Sequence, residues 1–373
     1  MTDFIDVNTP ASTLAESVLP VEKPPRRLLL WVLFFFQYAA IGAFFTFLNV
    51  YFREAGLSGT QIGLMGMIGS MVSMACAFLW GYVSDRTGKP SILIGGGAIG
   101  ALLIAQVYPL VKIAGLHNQF IYFTLIGFVY SILAAAPMTL VHSATLAILG
   151  DQRKDYGRYR MSGSLGFIVT VLAVGFLYER AGLDWMFPIY GVLMLVFALS
   201  ALRLPGRAVH LNDLGLGRIG AMISQPIWLL LIGTGFLYWI AYNASMNFSG
   251  VVLKTMGASD SLISFALVIG AIIEVPIMIF SNRLLKRFGP VNLLWSATLI
   301  QVVRYFLLAR MTDPAWAVAI NMLNGPGFVL FMVSMLNIIS RLAPPSLLAT
   351  AQGFYSAVIG LAGILSSLIS GIL

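Results

Sequence analysis

A chain of 373 residues that is 59% hydrophobic and only 10% charged lies outside the soluble globular class, in which charged residues average about 25%. Its mean hydropathy is +0.91, and its formal net charge of +8 would suit a nucleic-acid binder only if the basic residues formed one patch. They sit instead at the ends of apolar runs, and the single cysteine, Cys76, lies inside such a run, so no disulfide can form within the chain.

Residues 1–27 are polar and proline-punctuated, ending in "PVEKPPRR", and read as a disordered cytoplasmic tail. The apolar run that follows is too long for a signal-peptide core and lacks a cleavage site, which makes it a first membrane helix. About twenty apolar residues cross a bilayer. Such runs recur at 28–52, 59–83, 90–112, 119–149, 158–180 and 185–203, then at 226–253, 260–282, 291–309, 315–340 and 347–372. The expected fold is therefore all-α: a polytopic membrane protein of about eleven transmembrane helices. A Gly- and charge-rich connection at 204–225, "PGRAVHLNDLGLGRIG" and its neighbours, separates an N-terminal six-helix bundle (28–203) from a C-terminal bundle of five helices (226–373).

One set of helix ends collects Lys23, Arg26, Arg27, Arg86, Lys89, Arg153, Lys154, Arg158, Arg160, Arg203, Arg207, Arg218, Arg283, Lys286, Arg287 and Arg341. The opposite ends carry Arg53, Lys112, Arg180, Lys254 and Arg310. By the positive-inside rule the N-terminus is cytoplasmic, the expected location is the cell (inner) membrane, and the positive charge reports topology rather than a nucleic-acid partner. Among the 14 acids only Glu274 lies deep in a span, within "GAIIEVPIMIF". Arg304 is the deep base; Arg160 and His142 lie nearer the cytoplasmic ends of the fifth and fourth helices.

Between the second and third helices the chain reads "GYVSDRTGKP", and about 200 residues on "NRLLKRFGP" keeps an arginine (Arg287) and a glycine (Gly289) where the first has Arg86 and Gly88. G-x-x-x-D-R-x-G at this place resembles the loop signature of the major facilitator superfamily, a resemblance that extends over nearly the whole chain. It implies two pseudo-symmetric helix bundles rocking about a central cavity. It further implies a cytoplasmic gating loop of Gly81, Asp85, Arg86 and Gly88, with Asp85 meeting the start of the eleventh helix at "PPSLLAT", where Ser346 would cap. "DYGRYRMSGSLGFIV" and "GLSGTQIGLMG" are similar to the branch holding phenylpropionate permeases, nucleoside–proton symporters and lactose-permease-like proteins. In lactose permeases the arginine before a G-x-x-G segment of the fifth helix binds the sugar; here that position is Arg160, which by itself reads equally as a positive-inside anchor. Three departures stand out. Asn321 and Asn324 occupy the places of a His and a Glu that serve proton coupling in lactose permeases, and His142 replaces an acid usual in phenylpropionate-permease-like sequences. The family also has twelve helices, whereas this sequence ends with its eleventh, which would put the C-terminus outside.

Glu274 is expected to be protonated, paired or facing water, because an ionised carboxylate in mid-membrane costs several kcal/mol. Arg304 on the next helix is the natural partner, offset by about 9 Å at 1.5 Å per residue. Such a loose pair suits a proton or substrate switch, and a static structural ion pair is the alternative. His142 reads either as a cavity ligand or second proton site, or as a packing histidine bonded to a backbone carbonyl. On the seventh helix, "YWIAYNASMNFSG" puts Tyr238 and Tyr242 on one stripe and Trp239, Asn243 and Asn247 on another. These suit a ring-bearing, hydrogen-bonding solute, or equally an interfacial aromatic belt with Asn between helices. Gln37, Tyr38 and Asn49, with Asn321 and Asn324, would line the other walls.

No enzyme is indicated. His117, His142 and His210 lie on separate segments, so no metal site is expected, and the absence of a P-loop leaves an ion gradient as the energy source. The reading is a secondary active transporter for a small polar or aromatic solute, working by proton-coupled symport with no cofactor. Its partners are the bilayer, the solute and protons. A uniporter, or a transport-inactive receptor or scaffold, is the alternative.

Overall fold

In hydrocarbon every backbone N–H and C=O must find a partner within the chain, so apolar runs of this length fold as helices. The computed structural model describes residues 27–115, 117–149, 156–205, 226–342 and 348–372, without the side chains of Arg27, Asp85, Arg158 and residues 348–350. The helices are α1 (Arg27–Glu54), α2 (Gly59–Thr87), α3 (Pro90–Ala105), α4 (Tyr108–Ile113), α5 (Gln119–Leu149), α6 (Tyr156–Ala181) and α7 (Met186–Ala201). They continue as α8 (Pro226–Thr255), α9 (Asp260–Phe288), α10 (Pro290–Arg310), α11 (Trp316–Asn321), α12 (Asn324–Leu342) and α13 (Leu348–Ile372). Counting α3 with α4 and α11 with α12 as single spans, 11 units are long and apolar enough to cross a membrane, and no strand occurs among the described residues.

The third and tenth expected helices are each broken in two. Pro109 and Pro326 follow the breaks, and neither can donate the backbone hydrogen bond that would continue the helix. At both breaks the chain tightens into three-residue bonds, Val107 to Ile104 at 3.1 Å and Leu323 to Ile320 at 3.1 Å.

The internal repeat is visible in backbone detail. Ser58 and Ser259 cap the starts of α2 and α9. Gly88 and Gly289 end these helices with positive φ (62° and 76°), and Pro90 and Pro290 open the next. Gly81 has open space around it, and Arg86 bonds Tyr82 on its own helix at 3.2 Å. Ser346 and the Asp85 side chain lie outside the described residues, as do the tail 1–26 and the connection 206–225.

Within the first six spans α1 packs on α6 and α7, and α5 on α2 and α3; within the last five α8 packs on α13, and α12 on α9 and α10. The two groups meet through α2–α13, α6–α9 and α1–α8. Small residues let backbones touch: a Cβ on Gly63 would lie 2.6 Å from Gly371, and one on Gly250 3.4 Å from the Thr46 carbonyl. Polar contacts between the groups cluster at the ends poor in Lys and Arg. Asn49 Nδ2 donates to the Asn247 carbonyl at 2.7 Å, Lys254 meets Glu54 at 3.3 Å, and the Ser261 N–H donates to Glu179 at 3.2 Å. Among the described residues no hydrogen bond or ion pair joins the two groups at the basic ends.

Candidate functional site

The G-x-x-G of the fifth span explains how Arg160 is presented. A Cβ on Gly166 would overlap the Phe35 carbonyl, and one on Gly163 would lie 2.6 Å from the Tyr38 ring. Without those carbons α1 lies directly on α6, the Tyr38 ring fills the notch at Gly163, and the Arg160 guanidinium stacks on that ring 3.9 Å from its centre. Beside it, His142 Nδ1 shares a hydrogen bond of 2.7 Å with the Tyr156 hydroxyl and packs on Phe34. Tyr156 had no role in the sequence reading, although it stands in the quoted "DYGRYR".

The expected pair of Glu274 with Arg304 is not formed. Arg304 is fully buried and held by neutral oxygens: Asn321 Oδ1 accepts from Nε at 3.1 Å and from Nη2 at 2.8 Å. Ser245 Oγ accepts at 3.2 Å and Gln301 Oε1 at 3.4 Å. Gln301 in turn donates to the Tyr238 hydroxyl at 3.2 Å and to Asn324 at 3.5 Å. Asn321 ends α11 and Asn324 opens α12, and both amides are buried in the same polar layer. Ser245 and Gln301 were not legible as site residues; a small hydroxyl and one amide in apolar spans carry no pattern.

Glu274 faces the other way. The backbone of α12 presses against α9 at this point, because a Cβ on Gly325 would lie 2.9 Å from the Glu274 nitrogen. The carboxylate is partly exposed, and it has no salt-bridge partner among the described residues.

The aromatic stripes of α8 divide by role. Tyr238 is buried, stacks on Phe331 at 3.4 Å and donates to the Gly327 carbonyl at 3.1 Å; Trp239 donates to the Tyr355 hydroxyl at 2.8 Å. Both serve the packing of the last five spans rather than an open wall. Gln37 is likewise buried, bonding the Pro137 carbonyl at 3.3 Å between α1 and α5, and lines a small cavity there with Phe45 and Tyr130. Tyr242 and Asn243 remain partly exposed, and Asn247 is exposed. Asn49 and Asn247 line a cavity of about 350 Å³ between α1, α2 and α5, closed by α8 and α13. Its wall on α5 ends at Thr139, one helical turn from His142, so the cavity and the charged layer are neighbours.

A model of the MFS_1 like family matches residues 28–373. The maltose permease of Geobacillus stearothermophilus is 33% identical over 341 residues, covering 89% of this chain and 84% of that protein. A probable 3-phenylpropionic acid transporter of Escherichia coli (strain K12) is 25% identical over 338 residues, with 87% and 84% covered. Among solved structures, the nucleoside transporter NupG superposes with a TM-score of 0.76 at 20% identity, over 92% of this chain and 90% of that one.

Proposed function

The chain belongs to the MFS_1 like family of membrane transporters, and from that premise we propose that it carries a small polar solute by alternating access, coupled to protons. The observation that carries the reading is Glu274: a deep, partly exposed acid with no ion-pair partner among the described residues. The two groups are clasped at the ends poor in basic residues. With the basic ends on the cytoplasmic side of the cell membrane, this arrangement is an inward-open state.

The chemistry follows from the charges. An ionised Glu274 attracts Arg160 across the gap between the two helix groups and competes with the solute for its N–H groups. A proton on Glu274 removes that competition, so solute and proton load together. Solute affinity is therefore highest where Glu274 holds its proton and falls as pH rises.

Flux into proteoliposomes tests this with maltose, uridine and 3-phenylpropionate as probes and a trapped pH dye as the proton readout. Wild type is expected to acidify the lumen with one probe class. Glu274→Gln is expected to keep probe exchange, to lose proton movement, and to bind with a flat pH profile. Probe uptake without proton movement in wild type would sink coupling. It would favour the second reading, a uniporter, which draws on the neutral Asn321 and Asn324 beside Arg304.

A further inference from the structure

The 350 Å³ cavity has a chemistry unlike that of the layer beneath it. No charged side chain lines it. Its walls combine the aromatic faces of Phe45, Tyr130 and Phe248 with the hydroxyls of Ser70, Ser73 and Thr139. Many hydroxyls in these helices bond back to their own turn, as Thr124, Thr145, Ser200 and Thr298 do. Ser70, Ser73 and Thr139 make no hydrogen bond among the described residues, and neither does the exposed amide of Asn247. Unpaired donors and acceptors on an aromatic wall suit an uncharged ring bearing several hydroxyls, and offer nothing to hold a carboxylate.

One group belongs to both the cavity and the closure. Asn49 lines the cavity and donates its Nδ2–H to the backbone carbonyl of Asn247, which joins α1 to α8 at the clasped end. A solute hydroxyl in the cavity can accept that N–H instead.

We propose that this cavity is a second, neutral subsite, above the Arg160–Glu274 layer, whose polyhydroxylated occupant takes the Asn49 amide from Asn247 and so loosens the clasp that closes the transporter. The assignment rests on the alternating-access reading above. It makes solute binding the trigger for opening the far side, with selection against anionic rings made at the same place.

The test uses the full chain in right-side-out membrane vesicles, with Cys76→Ser as background and Val50→Cys as the reporter. Phe248 is itself part of the wall and is kept; Val50 is buried against Gly250 in the α1–α8 seam and off the cavity lining. A membrane-impermeant maleimide is added outside, with and without maltose. Maltose is expected to raise labelling several-fold. Asn49→Ala is expected to give high labelling without maltose and no further response. Asn247→Ala removes the side-chain amide but keeps the carbonyl, so labelling without maltose stays low while maltose affinity falls roughly 3- to 10-fold, the size of one neutral hydrogen bond. Ser73→Ala with Thr139→Val, a milder pair that keeps shape, is expected to weaken maltose by a similar factor and to leave 3-phenylpropionate unchanged.

Low labelling in a folded Asn49→Ala protein, a result that needs no ligand, would overturn the clasp. Binding of 3-phenylpropionate with no response to maltose or uridine would overturn the neutral subsite and leave transport standing. Loss of flux for every probe in wild-type proteoliposomes would remove the transport reading itself, and the subsite with it.

Discussion

Arg160 and Arg304 are both arginines within membrane-crossing helices, and the fold treats them in opposite ways. Arg304 is sealed: fully buried, with its guanidinium shared among Asn321, Gln301 and Ser245. Arg160 is partly exposed and lies on the face of Tyr38. A buried cation without a carboxylate persists only if every nearby oxygen turns toward it, which makes it immobile. A cation resting on an aromatic face keeps its N–H groups available for a solute. The comparison separates a group that holds the last five spans together from one that can work.

The sharpest way to break that distinction is to remove each in turn. Arg304→Met leaves the Asn321 and Gln301 oxygens without donors. It is expected to cost about 3 kcal/mol or more, seen as a large fall in the unfolding midpoint in detergent. Arg160→Gln is expected to leave the midpoint within about 0.5 kcal/mol of wild type, since it sits outside the core, while abolishing solute binding. Equal falls in the two proteins would end the distinction. Next, Gly166→Ala drives a methyl into the Phe35 carbonyl and is expected to cost about 1–3 kcal/mol. Gly163→Ala meets only the Tyr38 ring, which can rotate. It is expected to cost less stability and to weaken solute binding through the displaced Arg160. Tyr156→Phe removes the partner of His142 and is expected to cost about 1 kcal/mol, measured by denaturant titration. The smallest effect belongs to the clasped end. Glu54→Gln breaks a partly exposed pair with Lys254, which keeps its bond to Asp260, and is expected to change stability by at most about 1 kcal/mol, while raising outside labelling of the Val50→Cys reporter.

Much of the fold was legible because the solvent leaves few choices. Glycine and proline marked the loops correctly at Gly88–Pro90 and Gly289–Pro290. The two broken spans were legible in principle from Pro109 and Pro326, but a proline in a membrane helix is tolerated when neighbours satisfy the freed carbonyl, as at Pro137 and Pro276. Composition also singled out Glu274, Arg160 and Arg304, since ionisable residues in apolar spans are rare enough to count. Their partners could not be read. Arg304 meets Asn321 rather than Glu274, a choice between two residues on neighbouring helices that spacing along the chain does not make.

The sequence by itself determined which segments are helical and where the few charges lie along them, because helix formation in lipid is a local consequence of apolar length and backbone hydrogen bonding. The tertiary structure alone decided which side chains meet. That depends on each helix's rotation about its axis and on backbone approach at Gly63, Gly163, Gly166 and Gly325, where one methyl group is enough to separate two helices. The same one-dimensional pattern of acids, arginines and amides therefore supports a switch, a static pair or a packing contact. The binding of Arg304 by Asn321, which leaves Glu274 without an ion pair among the described residues, is what separates them here.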